Sequence, residues 1–158
     1  MEKDCIRSSY RGDYMKKEIG VLIYNDQHDI LIQKRSANKR SYPNRWALLH
    51  GHVEAGETVE VAAVRECKEE LGIEVEMSEL HPFTTIENSE THATYYFYVR
   101  CNKNEADFIL QEEELSQVKW CSINDVIDMI KNHGETIVYK EDKIELFQSF
   151  QKKLEQLK

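Results

Sequence analysis

The run from Val59 to Leu71, VEVAAVRECKEEL, contains neither glycine nor proline and is bracketed by Thr58 and Gly72. A threonine able to cap, a stretch of helix formers and a glycine stop predict an α-helix with defined ends. That helix is crowded with acid. Residues three and four apart on a helix are neighbours, so Glu66, Glu69 and Glu70 share one face within an arc of about 100°. Ala63, Val64, Cys67 and Leu71 form an apolar stripe beside them that can dock on a sheet. The carboxylates are thus held at the boundary between core and water.

Two unit charges about 5 Å apart repel by roughly 3 kcal/mol at an effective dielectric near 20. Several such pairs approach the roughly 5–15 kcal/mol that holds a domain together. Three readings answer this: a carboxyl keeps its proton, a cation sits among them, or the helix is an acidic, solvated one without a ligand. Clustered oxygen donors suit a hard divalent ion, Mg2+ or Mn2+, which also recruits phosphates. The preceding loop, HGHVEAGE, contributes Gly51 and Gly56, where the backbone can approach closely enough for a main-chain carbonyl to reach a metal. Arg65 and Glu57 are placed to pair as a brace between helix and loop.

The other function classes narrow quickly. At 158 residues the chain suits one domain with one buried core. A net charge of −8 argues against general binding to a nucleic-acid backbone. No apolar run approaches the roughly 20 residues that span a bilayer, and the N-terminus lacks the apolar core of a secretion signal. A cytoplasmic location is expected. Cys5, Cys67, Cys101 and Cys121 are scattered, with no CxxC pair, and are expected as free thiols. One basic cluster, QKRSANKRSYPNRW, carries Lys34, Arg35, Lys39, Arg40 and Arg45. It reads as a solvated loop or as a grip on an anionic ligand.

Strands are expected at Ile19–Tyr24 and Ile30–Lys34, joined as a hairpin, and at Trp46–Leu49, Val75–Phe83, Thr91–Cys101 and Val118–Cys121. Ser122 and Asp125 form a capping box for a helix through Ile130. Ile144, Phe147, Phe150, Leu154 and Leu157 recur at helical spacing. Tyr95, Tyr96, Phe97 and Tyr98 alternate across a strand, two toward the core and two toward a groove. Residues 1–17 read as a polar arm, a candidate homodimer contact, and 18–158 as one domain. Interleaved strands and helices predict an α/β fold: a mixed sheet covered by helices on both faces.

The segment 51–73 resembles the signature of the Nudix hydrolases, Gx5Ex7REUxEExGU with U a bulky aliphatic residue. Gly51, Glu57, Arg65, Glu66, Glu69, Glu70, Gly72 and Ile73 all fall in register. Ordinary residue frequencies give chance odds on the order of 10⁻⁹ per window. Cys67 at the first U position is a mild departure. IGVLIYNDQHDILIQKRS and VKWCSINDVIDMI extend the likeness over residues 18–130. RSANKRSYPNRW further resembles the branch containing isopentenyl-diphosphate isomerase. Those isomerases carry a catalytic cysteine just after the Trp-containing strand, where WALLHGH has His50 instead.

The resemblance implies a Nudix-type α/β/α sandwich and a metal-dependent pyrophosphohydrolase acting on a small-molecule diphosphate. It implies Glu66, Glu69 and Glu70 as ligands of Mg2+ or Mn2+, joined by the backbone carbonyl of His50. A later acidic residue commonly completes the set; Glu112, Glu113 and Glu114 are candidates, with Glu114 preferred. Glu66 or Glu69 would serve as general base. Arg65, counted with the catalytic set, and Glu57 would orient the ligands, with Gly51 as structural support. Arg35, Lys39, Arg45 and His52 are the candidate substrate contacts. Specificity would come from the loops Ser36–Arg45, Phe83–His92 and Asn102–Gln111. The alternatives are an isomerase on the same scaffold or a non-catalytic binding module.

Overall fold

The computed structural model describes residues 15–157. Strand β1 (Lys16–Tyr24) organises the sheet. Asn25 makes its turn: the Asn25 side-chain carbonyl accepts from the N–H groups of Gln27 and Asp29 at 3.1 and 2.9 Å. β2 (Asp29–Arg35) then returns antiparallel, but the two strands pair only at Tyr24↔Ile30. The expected hairpin is a hairpin at its tip alone.

What separates β1 from β2 is the run 46–52. β3 (Trp46–Ala47) pairs with β2, and after Leu48 the chain crosses over as β4 (Leu49–His52) to pair with β1. The single strand expected at 46–49 is therefore two. β5 (His81–Ser89) and β6 (His92–Arg100) form a true hairpin, and β6 lies parallel to β1 from Lys16↔His92 to Tyr24↔Arg100. β7 (Leu115–Ser122) covers the other side of β2. One parallel pairing among antiparallel ones makes the sheet mixed, as expected.

Helix α1 (Val59–Leu71) lies on one face. Ile19, Val21, Ile23, Ala63, Cys67, Leu71 and Phe97 share that core. Helices α2 (Ile123–Asn132) and α3 (Ile144–Gln156) cover the other face, around Leu22, Tyr96, Tyr98, Val126, Phe147 and Phe150. The molecule is an α/β/α sandwich. Each fully buried aliphatic or aromatic side chain contributes about 1.5–3 kcal/mol, and β1 reads as an unbroken apolar run because both its faces are covered. The same cover corrects the tyrosine expectation. Tyr96, Phe97 and Tyr98 are all buried, on both faces of the sheet, so no outward pair is left over, and of the four only Tyr96 reaches the cavity described below.

Four other boundaries differ. Residues 74–76 are irregular and 77–79 a 3₁₀ turn, so the strand expected from Val75 starts at His81. Phe83–Ser89, expected as loop, is edge strand; its side chains are mostly exposed, and a polar edge strand hides in sequence as a loop. Leu157 is 38% exposed and leaves the α3 stripe. Lys16 and Lys17 belong to β1 rather than to an arm; the rest of the arm up to Tyr14, with Cys5 and the dimer contact assigned to it, lies outside the described residues. Among the described residues no helix is long and apolar enough to cross a membrane.

Candidate active site

Helix α1 begins where Thr58 Oγ1 accepts from Val61 N–H at 3.2 Å, and it ends at Gly72, whose φ of 67° is left-handed. A Cβ on Gly72 would also lie 2.7 Å from Ile109 Cβ, so both conformation and packing require glycine there. Between these ends Arg65 is the hub. Its Nε and one terminal nitrogen reach both oxygens of Glu57 at 2.7 and 2.9 Å, a bidentate pair. The same guanidinium donates to the carbonyl of His52 at 3.0 Å, to Glu66 at 2.8 Å and to Glu69 at 3.1 Å. The brace expected between helix and loop is present.

The acids on this helix stand in different environments. Glu70 is buried, and its Oε2 has no hydrogen-bond partner among the described residues. Burial above all, and then the charges of Glu66 and Glu114, push its carboxyl up to about 8. Glu66 is also raised by burial, with Arg65 acting against the shift. Glu69 is half exposed. Among the described residues no three His, Cys, Asp or Glu side chains are arranged to hold a metal ion. Arg65 draws Glu66 and Glu69 to itself, and Glu70 stands apart as a buried acid.

Gly51 explains how tightly Glu66 is seated. A Cβ on Gly51 would lie 2.5 Å from Glu66 Cδ and 2.8 Å from its Oε1, so the carboxyl rests on bare backbone. The glycine is needed for close approach. Gly56, by contrast, turns the loop at φ 81° with nothing near it.

These acids line a cavity of about 950 Å³. The same cavity is lined by Arg35 at the end of β2 and by Lys39, Arg40 and Tyr42 from the 36–45 loop. Arg35 is held by the carbonyl and hydroxyl of Ser41 at 2.9 and 3.1 Å. The base of the loop is tied to the 111–115 turn, where Ser36 N–H donates to the Glu114 carbonyl at 2.9 Å, and Lys39 pairs with the Glu114 carboxylate. Glu114 therefore does face the site; Glu112 and Glu113 are exposed and do not line it. Arg45 is corrected as well. It lies over the Tyr42 ring at 5.3 Å and is not in the cavity wall, whereas Arg40, passed over in sequence, is. His50 and His52 both line the cavity, and no cysteine among the described residues does.

Sequence reasoning missed Glu18, Tyr139 and Lys143, which line the cavity together with Tyr96, one of the four aromatics divided between core and groove. Tyr139 arrives because Ile137 bridges to Trp46 and Val138 N–H donates to the Trp46 carbonyl at 3.0 Å. Nothing local marks these residues, since long-range pairing places them.

A mixed sheet between helices, with an acid-lined helix edge facing a basic loop, is the architecture of a phosphate-handling enzyme. The NUDIX domain family matches residues 15–140, and the chain belongs to the Nudix family of pyrophosphohydrolases. An uncharacterized Nudix hydrolase of Listeria monocytogenes is 33% identical over 122 residues, covering 77% of this chain and 71% of that protein. A prenyl-diphosphate phosphatase of Methanosarcina mazei is 27% identical over 123 residues, covering 77% and 72%. The crystal structure of DR0079 from Deinococcus radiodurans superposes with a TM-score of 0.71 at 24% identity, covering 84% of this chain and 81% of that one, a likeness in fold.

Proposed function

We propose that this chain hydrolyses a diphosphate linkage in a nucleoside diphosphate derivative or a related organic pyrophosphate, with Mg2+ or Mn2+ as cofactor. The carrying observation is Glu70: a buried carboxyl oxygen without a hydrogen-bond partner among the described residues, in a cavity it shares with Glu66 and with basic side chains of the 36–45 loop. The chemistry of this donor set suits a divalent ion, which would have to draw Glu66 and Glu69 away from Arg65 to gather them around it. It would replace the proton that Glu70 holds, and the all-oxygen ligands Glu66, Glu69, Glu70 and the His50 carbonyl, with Glu114 nearby, suit a hard cation. Once bound, such an ion supplies charge neutralisation at the phosphate oxygens and makes water a better nucleophile.

The remaining work falls to the side chains. Arg35, Lys39 and Arg40 offset the charge of the diphosphate and hold it across from the helix, with His52 at the rim. Glu66 or Glu69 accepts the proton of the attacking water as one bridging P–O bond breaks and the leaving phosphate departs with its electron pair. Arg65 keeps both carboxylates oriented, and Glu57 keeps Arg65 in place. Isomerase chemistry of the kind the sequence brought to mind has no cavity thiol among the described residues to use. The free Cys67, Cys101 and Cys121 accord with a cytoplasmic setting. The relative from Methanosarcina brings isoprenoid diphosphates in as a second substrate class beside nucleotide-linked ones.

The test is release of phosphate products from a panel of both classes with Mg2+ or Mn2+, together with the melting temperature as the metal is added. Metal-dependent hydrolysis and a rise in melting temperature are expected. A Glu70→Gln variant that turns over as fast as the parent would remove the ground for the ligand assignment.

A further inference from the structure

Part of the cavity wall is built around Gly20. On the sheet Gly20 lies between His50 on β4 and Tyr96 on β6. A Cβ there would sit 2.6 Å from Tyr96 Cε1 and 3.3 Å from His50 Cε1, so the two rings rest over its backbone, edge to face at 5.9 Å. The Tyr139 hydroxyl accepts from Leu48 N–H at 2.9 Å and lies 2.7 Å from His50 Nε2. Nδ1 faces Glu18 Oε1 at 3.0 Å without the alignment of a hydrogen bond. Glu18 sits against the His50 ring, lines the cavity and keeps 37% of its side chain exposed, so its carboxylate can accept from a bound ligand. Next to it Thr94 is buried and takes a hydrogen bond from the Asn88 amide at 2.8 Å.

We propose that Glu18, positioned by His50 and Tyr139, is the specificity residue for the organic half of the substrate, accepting hydrogen bonds from its hydroxyl or amino groups and so selecting sugar- or nucleoside-bearing diphosphates against isoprenoid ones. This rests on the pyrophosphohydrolase reading above. A hydrocarbon tail laid over Glu18 would strip water from a carboxylate and return no donor, which is costly. A polyhydroxyl group restores the lost hydrogen bonds, and sites built to bond a hydroxyl reject analogues that lack it far more strongly than apolar pockets reject an extra group.

The experiment measures kcat and KM, and separately equilibrium binding in Ca2+, for ADP-ribose, UDP-glucose, isopentenyl diphosphate and geranyl diphosphate. Wild type, Glu18→Gln and Tyr139→Phe are compared, with circular dichroism to confirm folding. Wild type is expected to favour the hydroxylated pair at least tenfold in kcat/KM and in binding. Glu18→Gln should shrink that preference about tenfold to a hundredfold, mainly through KM. Tyr139→Phe should act in the same direction and less, as a positioning residue does. A wild-type preference for the isoprenoid pair, or a preference that Glu18→Gln leaves intact, overturns the proposal. Hydrolysis of none of the four, with the binding preference present and lost in Glu18→Gln, would sink the hydrolase reading and leave this one standing.

Discussion

Glu57 and Glu70 stand on opposite sides of Arg65 in the chain, and the fold drives them in opposite directions. Glu57 is gripped by both forks of the Arg65 guanidinium and by Glu54 N–H, which pull its carboxyl down to about 2. Glu70 lies deeper, with no guanidinium hydrogen-bonded to it among the described residues, and burial, then the charges of Glu66 and Glu114, push it up to about 8 against the pull of Lys39 and Arg35. The first is a permanent anion that fixes geometry. The second is a neutral acid until something positive arrives. On the proposed function, the retained proton and the bound cation would be two states of one site, the one exchanged for the other on metal binding.

The largest break in this contrast is expected from Glu70→Gln. Turnover should fall on the order of a thousandfold or more, as when a group acting on transition-state charge is removed, while the metal-free protein melts no lower, because a neutral amide replaces a neutral acid. Initial rates and thermal melts check both halves. Next comes the brace. Glu57→Gln should cost about ten- to a hundredfold in activity, the size seen when a residue supporting metal ligands is lost, and metal affinity by titration should fall with it.

The pH dependence of melting sharpens the comparison. Glu70 has a folded pKa above its unfolded value near 4.5, so its contribution is full below about pH 4.5 and disappears as pH rises through about 8. Glu57 has a depressed folded pKa, so its contribution is present above about 4.5 and lost as pH falls toward 2. Metal-free protein should therefore lose melting temperature on both sides. Glu70→Gln should flatten the alkaline limb alone, and added Mn2+ should raise it. The smallest effects separate the two glycines. Gly51→Ala must displace Glu66 and is expected to cost about tenfold or more in rate, whereas Gly56→Ala meets open space and should cost only about 1 kcal/mol of backbone strain, read by denaturant melts with activity kept.

Helix α1 was legible to the residue, because its cap, its stop and its acidic face are local signals that short-range physics enforces. The shared face of Glu66, Glu69 and Glu70 and the Arg65–Glu57 brace were legible for the same reason. The splitting of 46–52 into two strands was invisible, since which neighbour a strand pairs with depends on chain far away. Strand β5 was mistaken for loop because an edge strand with a wet face has loop-like composition. Arg45 and Arg40 were exchanged because charge in a loop says nothing of direction. Here Tyr42 and Asn44, at positive φ, turn the chain and send Arg45 onto the Tyr42 ring.

Sequence alone determined that an acidic helix edge would meet a glycine-bearing loop and a brace of opposite charge, for those groups lie within one helix and its approach. Only the tertiary structure decided that Glu70 would be the buried member whose carboxyl is pushed up, and that Glu18 and Tyr139 would line the same cavity. Burial and partnering set a carboxyl's charge state, and both come from pairings across the sheet that no local stretch of chain encodes.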